Sequence, residues 1–101
     1  MKVLEEFKEG LRKLYRKKLK KIILYGSWAR GEANENSDID IAIVLDGKIN
    51  PSKEIERMIG LITELNLKYD VLISVYPVSL KDYMKVKSPL LMNIKKEGKE
   101  I

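Results

Sequence analysis

Three observations predict an α/β domain of the α+β kind, with a small mixed sheet of three or four strands and helices packed on one face. Residues 38–45, DIDIAIVL, alternate with period 2, so Ile39, Ile41, Ile43 and Leu45 share one apolar face. Two further short apolar runs, Ile22–Tyr25 and residues 69–76 (YDVLISVY), are bounded by Gly26 and Pro77 in the manner of strands. Between and before these runs, apolar residues recur at helical rather than strand spacing.

The elements follow in order. Leu4, Phe7, Leu11, Leu14 and Leu19 form one stripe among Lys, Arg and Glu, which predicts a surface helix over residues 2–19. Ile22–Tyr25 is the first strand, and GEANENS after it is loop-like. Residues 38–45 make the second strand, broken by Asp46-Gly47. Pro51-Ser52 opens a helix with Ile55, Met58, Ile59, Ile62 and Leu65 on one side, ending near Asn66. Residues 69–76 form the third strand, Ser79 caps a short helix, and Pro89 opens a last one that stops near Gly98. A helix joins strands two and three, so they lie parallel through a right-handed crossover, whereas the loop between strands one and two suits an antiparallel pair.

At 101 residues the chain reads as one domain, spanning 1–101. With no Cys and no His, disulfides, thiolate or HExxH metal sites and Ser-His-Asp triads are excluded. No apolar stretch approaches the roughly 20 residues of a membrane span, and MKVLEEFKEG lacks an apolar h-region, so a soluble cytoplasmic protein is expected. The net charge of +5 is concentrated in residues 1–21, which hold nine Lys/Arg against three Glu. The solvated face of an amphipathic helix accounts for this; the absence of interleaved aromatic residues argues against a nucleic-acid surface.

The strand phases bring chemistry together. Asp38 and Asp40 project to the same side of the second strand, with Cα atoms about 6.5–7 Å apart. Asp70, Leu72 and Ser74 alternate against Val71, Ile73 and Val75, which assigns Asp70 to the same open face. The antiparallel first strand brings Gly26-Ser27 to that edge. Three carboxylates together repel unless a cation neutralises them. Hard divalent ions, Mg²⁺ above all, take such oxygen ligands together with waters and phosphates. Two of them would clamp an in-line phosphoryl displacement. Gly26 permits close approach of a phosphate and Ser27 adds a hydroxyl and an N–H. Arg30 either contacts phosphate or ties the loop to Glu32 or Glu35, and Ser37 orients the turn before Asp38.

Gly26-Ser27, ten residues, then Asp38-Ile39-Asp40 resembles the GS-x10-DxD signature of the DNA polymerase β-like nucleotidyltransferase superfamily. The stretch GSWARGEANENSDIDIAIV is similar to the minimal nucleotidyltransferase (MNT) proteins, and the tail NIKKEGKEI resembles their usual ending. The resemblance implies the nucleotidyltransferase fold and Mg²⁺-dependent transfer of AMP from ATP, with pyrophosphate leaving. Asp38, Asp40 and Asp70 would be the metal-binding and catalytic acids, and Gly26, Ser27 and Arg30 the nucleotide contacts. It also implies a partner, a HEPN-domain toxin modified on a tyrosine, for which this chain is the antitoxin. Neutralisation by stoichiometric binding alone, or a small nucleic-acid binder, are the alternatives. The residues after the third strand are too few for an acceptor platform, so a partner or a second copy of the chain would supply one.

Overall fold

The middle strand organises the molecule. In a computed structural model, which describes residues 1–86 and 88–101, β2 (Ile39–Leu45) lies between β1 (Leu19–Tyr25) and β3 (Ile73–Ser79), with β4 (Lys99–Glu100) beyond β1. β1 is antiparallel to β2, with Ile22 opposite Ile43 and Tyr25 opposite Asp40. β3 is parallel to β2, with Asp40 level with Ser74. The fourth strand is the two-residue β4, whose Lys99 and Glu100 pair with Leu24 and Ile23.

One face of this sheet carries α1 (Lys2–Tyr15) and α3 (Pro51–Tyr69). Ile39, Ile41, Ile43 and Leu45 point into this layer without any exposure and meet Phe7, Leu11, Met58, Ile62 and Leu65. Asn50 starts α3 by accepting hydrogen bonds from the N–H groups of Ser52 and Lys53, at 3.1 and 3.4 Å, while Pro51 occupies the position whose N–H would have no partner. The buried stripe of α1 is Val3, Phe7, Leu11 and Tyr15, and Leu14 is exposed. The helix stops at Tyr15, a 3₁₀ turn covers Arg16–Lys18, and Leu19 begins β1 instead of closing the helix. Likewise Glu54, not Ile55, faces inward on α3; burial is tolerated because the Tyr15 hydroxyl donates to its carboxylate at 2.9 Å.

Two expectations are corrected. The second face of the sheet is not left polar, because α4 (Leu80–Lys85) and α5 (Pro89–Glu97) cover it. Ile23, Ala42, Val44 and Val78 pack there against Tyr83, Leu91 and Ile94. Along β2 this face is polar at Asp40 and continues as apolar surface at Ala42 and Val44. Helices therefore flank both faces rather than one.

The third strand is also displaced, from 69–76 to Ile73–Ser79. Asn66 does not end α3: its carbonyl accepts the N–H groups of Asp70 and Val71, while its side-chain oxygen takes the Ile73 N–H at 3.0 Å. Helix end and strand start are thus tied through one residue. Pro77 is accommodated inside β3 because this strand lies at the sheet edge and its missing N–H faces away from β2. Among the described residues, no helix is long and apolar enough to cross a membrane.

Candidate active site

The site is built where β1 ends and β2 begins. Gly26 leaves β1 with φ 72° and ψ −154°, a conformation essentially restricted to glycine. Its carbonyl accepts the N–H groups of Ala29 and Arg30, both at 3.1 Å, closing the single turn α2 (Ser27–Arg30). A Cβ at position 26 would run into Oδ2 of Asp40, so the glycine and the second acid of the signature are in direct contact.

The loop that follows returns the chain to β2. Ser37 shapes it: its hydroxyl accepts from the Asn34 N–H and its own N–H reaches the Asn34 carbonyl, each at 3.0 Å. Trp28 packs on the core and donates its indole N–H to the Ser37 carbonyl at 3.3 Å, a structural role rather than an open stacking surface. Ile39 N–H then bonds the Leu72 carbonyl at 2.9 Å, which sets the start of β2 against β3.

Asp38 is exposed just ahead of β2, and Asp40 is half-buried within it. The Asp40 carboxyl titrates above its ordinary range, first because it is partly desolvated and then because Asp38 is near; Arg30 pulls weakly the other way. Two neighbouring carboxylates, both hard oxygen donors, fit a divalent cation.

Asp70 is placed differently. It is the C-cap of α3, in the left-handed conformation with φ 52° and ψ 51°, not a strand residue. Level with Asp40 in β3 stands Ser74. Among the described residues no three acidic side chains gather as a cation-holding group. Asp70 does share a surface depression of about 790 Å³ with Asp38, bordered by Trp28, Ser37, Tyr69 and Leu72. Thus Gly26 touches Asp40, which has Asp38 near it, and Ser27 is the next residue of the turn, while Asp70 lines the depression that Asp38 also lines.

The family model for the polymerase β nucleotidyltransferase domain matches residues 5–101. The chain belongs to the polymerase β nucleotidyltransferase family. A Methanocaldococcus jannaschii protein that bears the name of a protein adenylyltransferase is 36% identical over 83 residues, covering 82% of this chain and 81% of the relative. A second protein of that name from the same organism is 47% identical over 73 residues, covering 72% and 67%. Among solved structures, a Sulfolobus solfataricus protein described as a nucleotidyltransferase superposes with a TM-score of 0.67 at 19% identity, over 98% of this chain and 76% of the other. A toxin–antitoxin structure with AMP-PNP gives 0.64 at 24% identity, over 95% and 70%. A Shewanella oneidensis tri-AMPylated HEPN toxin in complex with its MNT antitoxin gives 0.51 at 23% identity, over 99% and 71%. These likenesses carry the fold.

Two residues of this nucleotidyltransferase lie at the site without a place in it on sequence grounds, Glu97 with no reading at all and Tyr25 read as a core or core-edge residue. Glu97, the last residue of α5, accepts the Gly26 N–H at 3.3 Å and the Arg30 Nη1 at 3.1 and 3.2 Å. Arg30 also holds Glu32 through Nε at 2.7 Å, so of the two loop partners expected for it Glu32 is the one engaged. Tyr25, paired with Asp40 across the β1–β2 ladder, has its phenol pushed up by burial, then by the Asp40 charge and by Tyr76. No spacing rule connects position 97 to position 26, 71 residues away.

Proposed function

We propose that the chain transfers AMP from ATP to a hydroxyl, a tyrosine of a HEPN-type toxin, and so acts as that toxin's antitoxin. The observation that carries this reading is the contact between Gly26 and the Asp40 carboxylate, with Asp38 beside it, at the open end of β2. The names of the two archaeal relatives and the toxin–antitoxin likenesses support it.

In the proposed reaction the phenolic oxygen attacks the α-phosphorus of ATP, a new P–O bond forms, and the bond to the β-phosphate oxygen breaks to release pyrophosphate. Asp38 and Asp40 hold Mg²⁺, which when bound neutralises charge on the phosphates. The Gly26-Ser27 turn and Arg30 contact the triphosphate, which the missing Cβ at position 26 allows to come close. Asp70, across the depression from Asp38, receives the phenolic proton. The depression between them is where an acceptor side chain enters, and the acceptor surface belongs to the partner.

The test is label transfer from α-labelled ATP, with Mg²⁺, to a co-expressed HEPN protein. Asp38→Asn and Asp40→Asn remove a term of several kcal/mol, so transfer falls at least about a hundredfold. Undiminished transfer in both variants would refute the assignment. A second reading, stoichiometric neutralisation without turnover, is favoured by the lack of a three-acid cluster among the described residues. Full toxin neutralisation by the Asp38→Asn/Asp40→Asn double variant would decide for it.

A further inference from the structure

Glu97 is delivered to the Gly26 turn by a tied segment rather than by a loose end. Gly98 N–H bonds the Ile94 carbonyl at 2.8 Å, and a side chain at position 98 would collide with that carbonyl and with Ile23. Lys99 and Glu100 then pair with β1, and the Ile101 N–H reaches the Ile22 carbonyl at 2.9 Å. With the backbone fixed on both sides, the Glu97 carboxylate lies on the Gly26 N–H and on the guanidinium of Arg30, with only 26% of its side chain exposed. An anion therefore already occupies the two donors that a phosphate oxygen would use.

We propose that Glu97 is an internal stand-in for a substrate phosphate: it holds Arg30 and the Gly26 amide in place, and nucleotide binding begins by exchanging its carboxylate for a phosphate. This rests on the reading that the Gly26–Arg30 turn takes a nucleoside triphosphate. Carboxylate and phosphate compete for these donors, because both are anions and like charges placed side by side disfavour each other. The side chain must swing out, while β4 and Gly98 keep the main chain of α5 in place. Apparent affinity is then lowered by the fraction of molecules in which Glu97 has released its donors. Glu97→Gln keeps the size and an accepting oxygen but removes the charge, which about halves the strength of such bonds. Glu97→Asp keeps the charge and retracts it by one methylene.

The experiment titrates the full chain, wild type, Glu97→Gln and Glu97→Asp, by calorimetry with a non-hydrolysable ATP analogue plus Mg²⁺ and, separately, with inorganic tripolyphosphate and with adenosine. Circular dichroism melting confirms that each variant is folded. The expected result is that Glu97→Gln binds both phosphate ligands roughly three- to tenfold more tightly, while adenosine binding is the same in all three chains. In the label-transfer assay the KM for ATP falls by a larger factor than kcat changes, a split that a merely structural role for Glu97 would not produce. Equal or weaker binding of the phosphate ligands by both folded variants, where wild type binds them, overturns the exchange. If no chain binds either the analogue or tripolyphosphate, the triphosphate reading of the Gly26 turn itself is wrong, and the exchange falls with it.

Discussion

Replacing Gly26 by alanine separates backbone strain from catalytic geometry. With φ 72° and ψ −154°, residue 26 lies in a region that costs a non-glycine residue about 1–3 kcal/mol. For a domain of this size that lowers the melting temperature by about 5–20 °C. Gly31 is the internal comparison: its φ of 74° and ψ of 19° cost an alanine about 1–2 kcal/mol, yet nothing lies within 4 Å of a Cβ there. The two variants should therefore melt comparably. They should differ in activity, because only at position 26 does the new methyl displace the Asp40 carboxylate. Restoring van der Waals separation moves that carboxylate by about 1 Å, and misplacement on this scale costs about a hundredfold in rate. The assay is thermal unfolding by circular dichroism, then label transfer measured well below both melting points and normalised to folded protein. A Gly26→Ala enzyme as active as Gly31→Ala would refute the coupling of the turn to Asp40.

Three further outcomes follow from the same contacts. Because burial and Asp38 raise the folded-state pKa of Asp40 above its ordinary 3.8, ionising it costs stability as pH rises past that value. In chelator at pH 7, Asp40→Asn should accordingly melt above wild type, the two converging in acid; a lower melting point at pH 7 would contradict the repulsion. Glu6 behaves oppositely: hydrogen bonds from Lys68 and then Tyr69 lower its pKa below 4.5, so the α1–α3 tie is present above 4.5 and lost as pH falls through the depressed value. Glu6→Gln should flatten that part of the acid stability profile, read from urea midpoints at stepped pH. Phe7 has no exposure, so Phe7→Ala should cost about 3–5 kcal/mol in urea unfolding, a large share of the roughly 5–15 kcal/mol available to a domain.

The sequence by itself determined what local periodicity can encode. Period 2 over 38–45 placed four aliphatic residues on one side of the strand with Asp40 on the other, and β2, which begins at Ile39, has that form because side-chain alternation is a property of the strand alone. Gly26 ended β1 as read, and Pro51 and Pro89 opened helices as read, since each acts through its own backbone. What only the tertiary structure decided involves partners distant in the chain. Asp70 reads as a strand residue by alternation, yet Asn66 carries α3 on to Tyr69 and its side chain starts β3 only at Ile73. The face of β2 beyond Asp40 reads as open, yet α4 and α5 fold back over it to bury Ala42 and Val44. The same return sets Glu97 on the Gly26 turn. Spacing between neighbours specifies direction along one element, but where a helix end, an edge strand and a turn meet is set by packing of the whole chain.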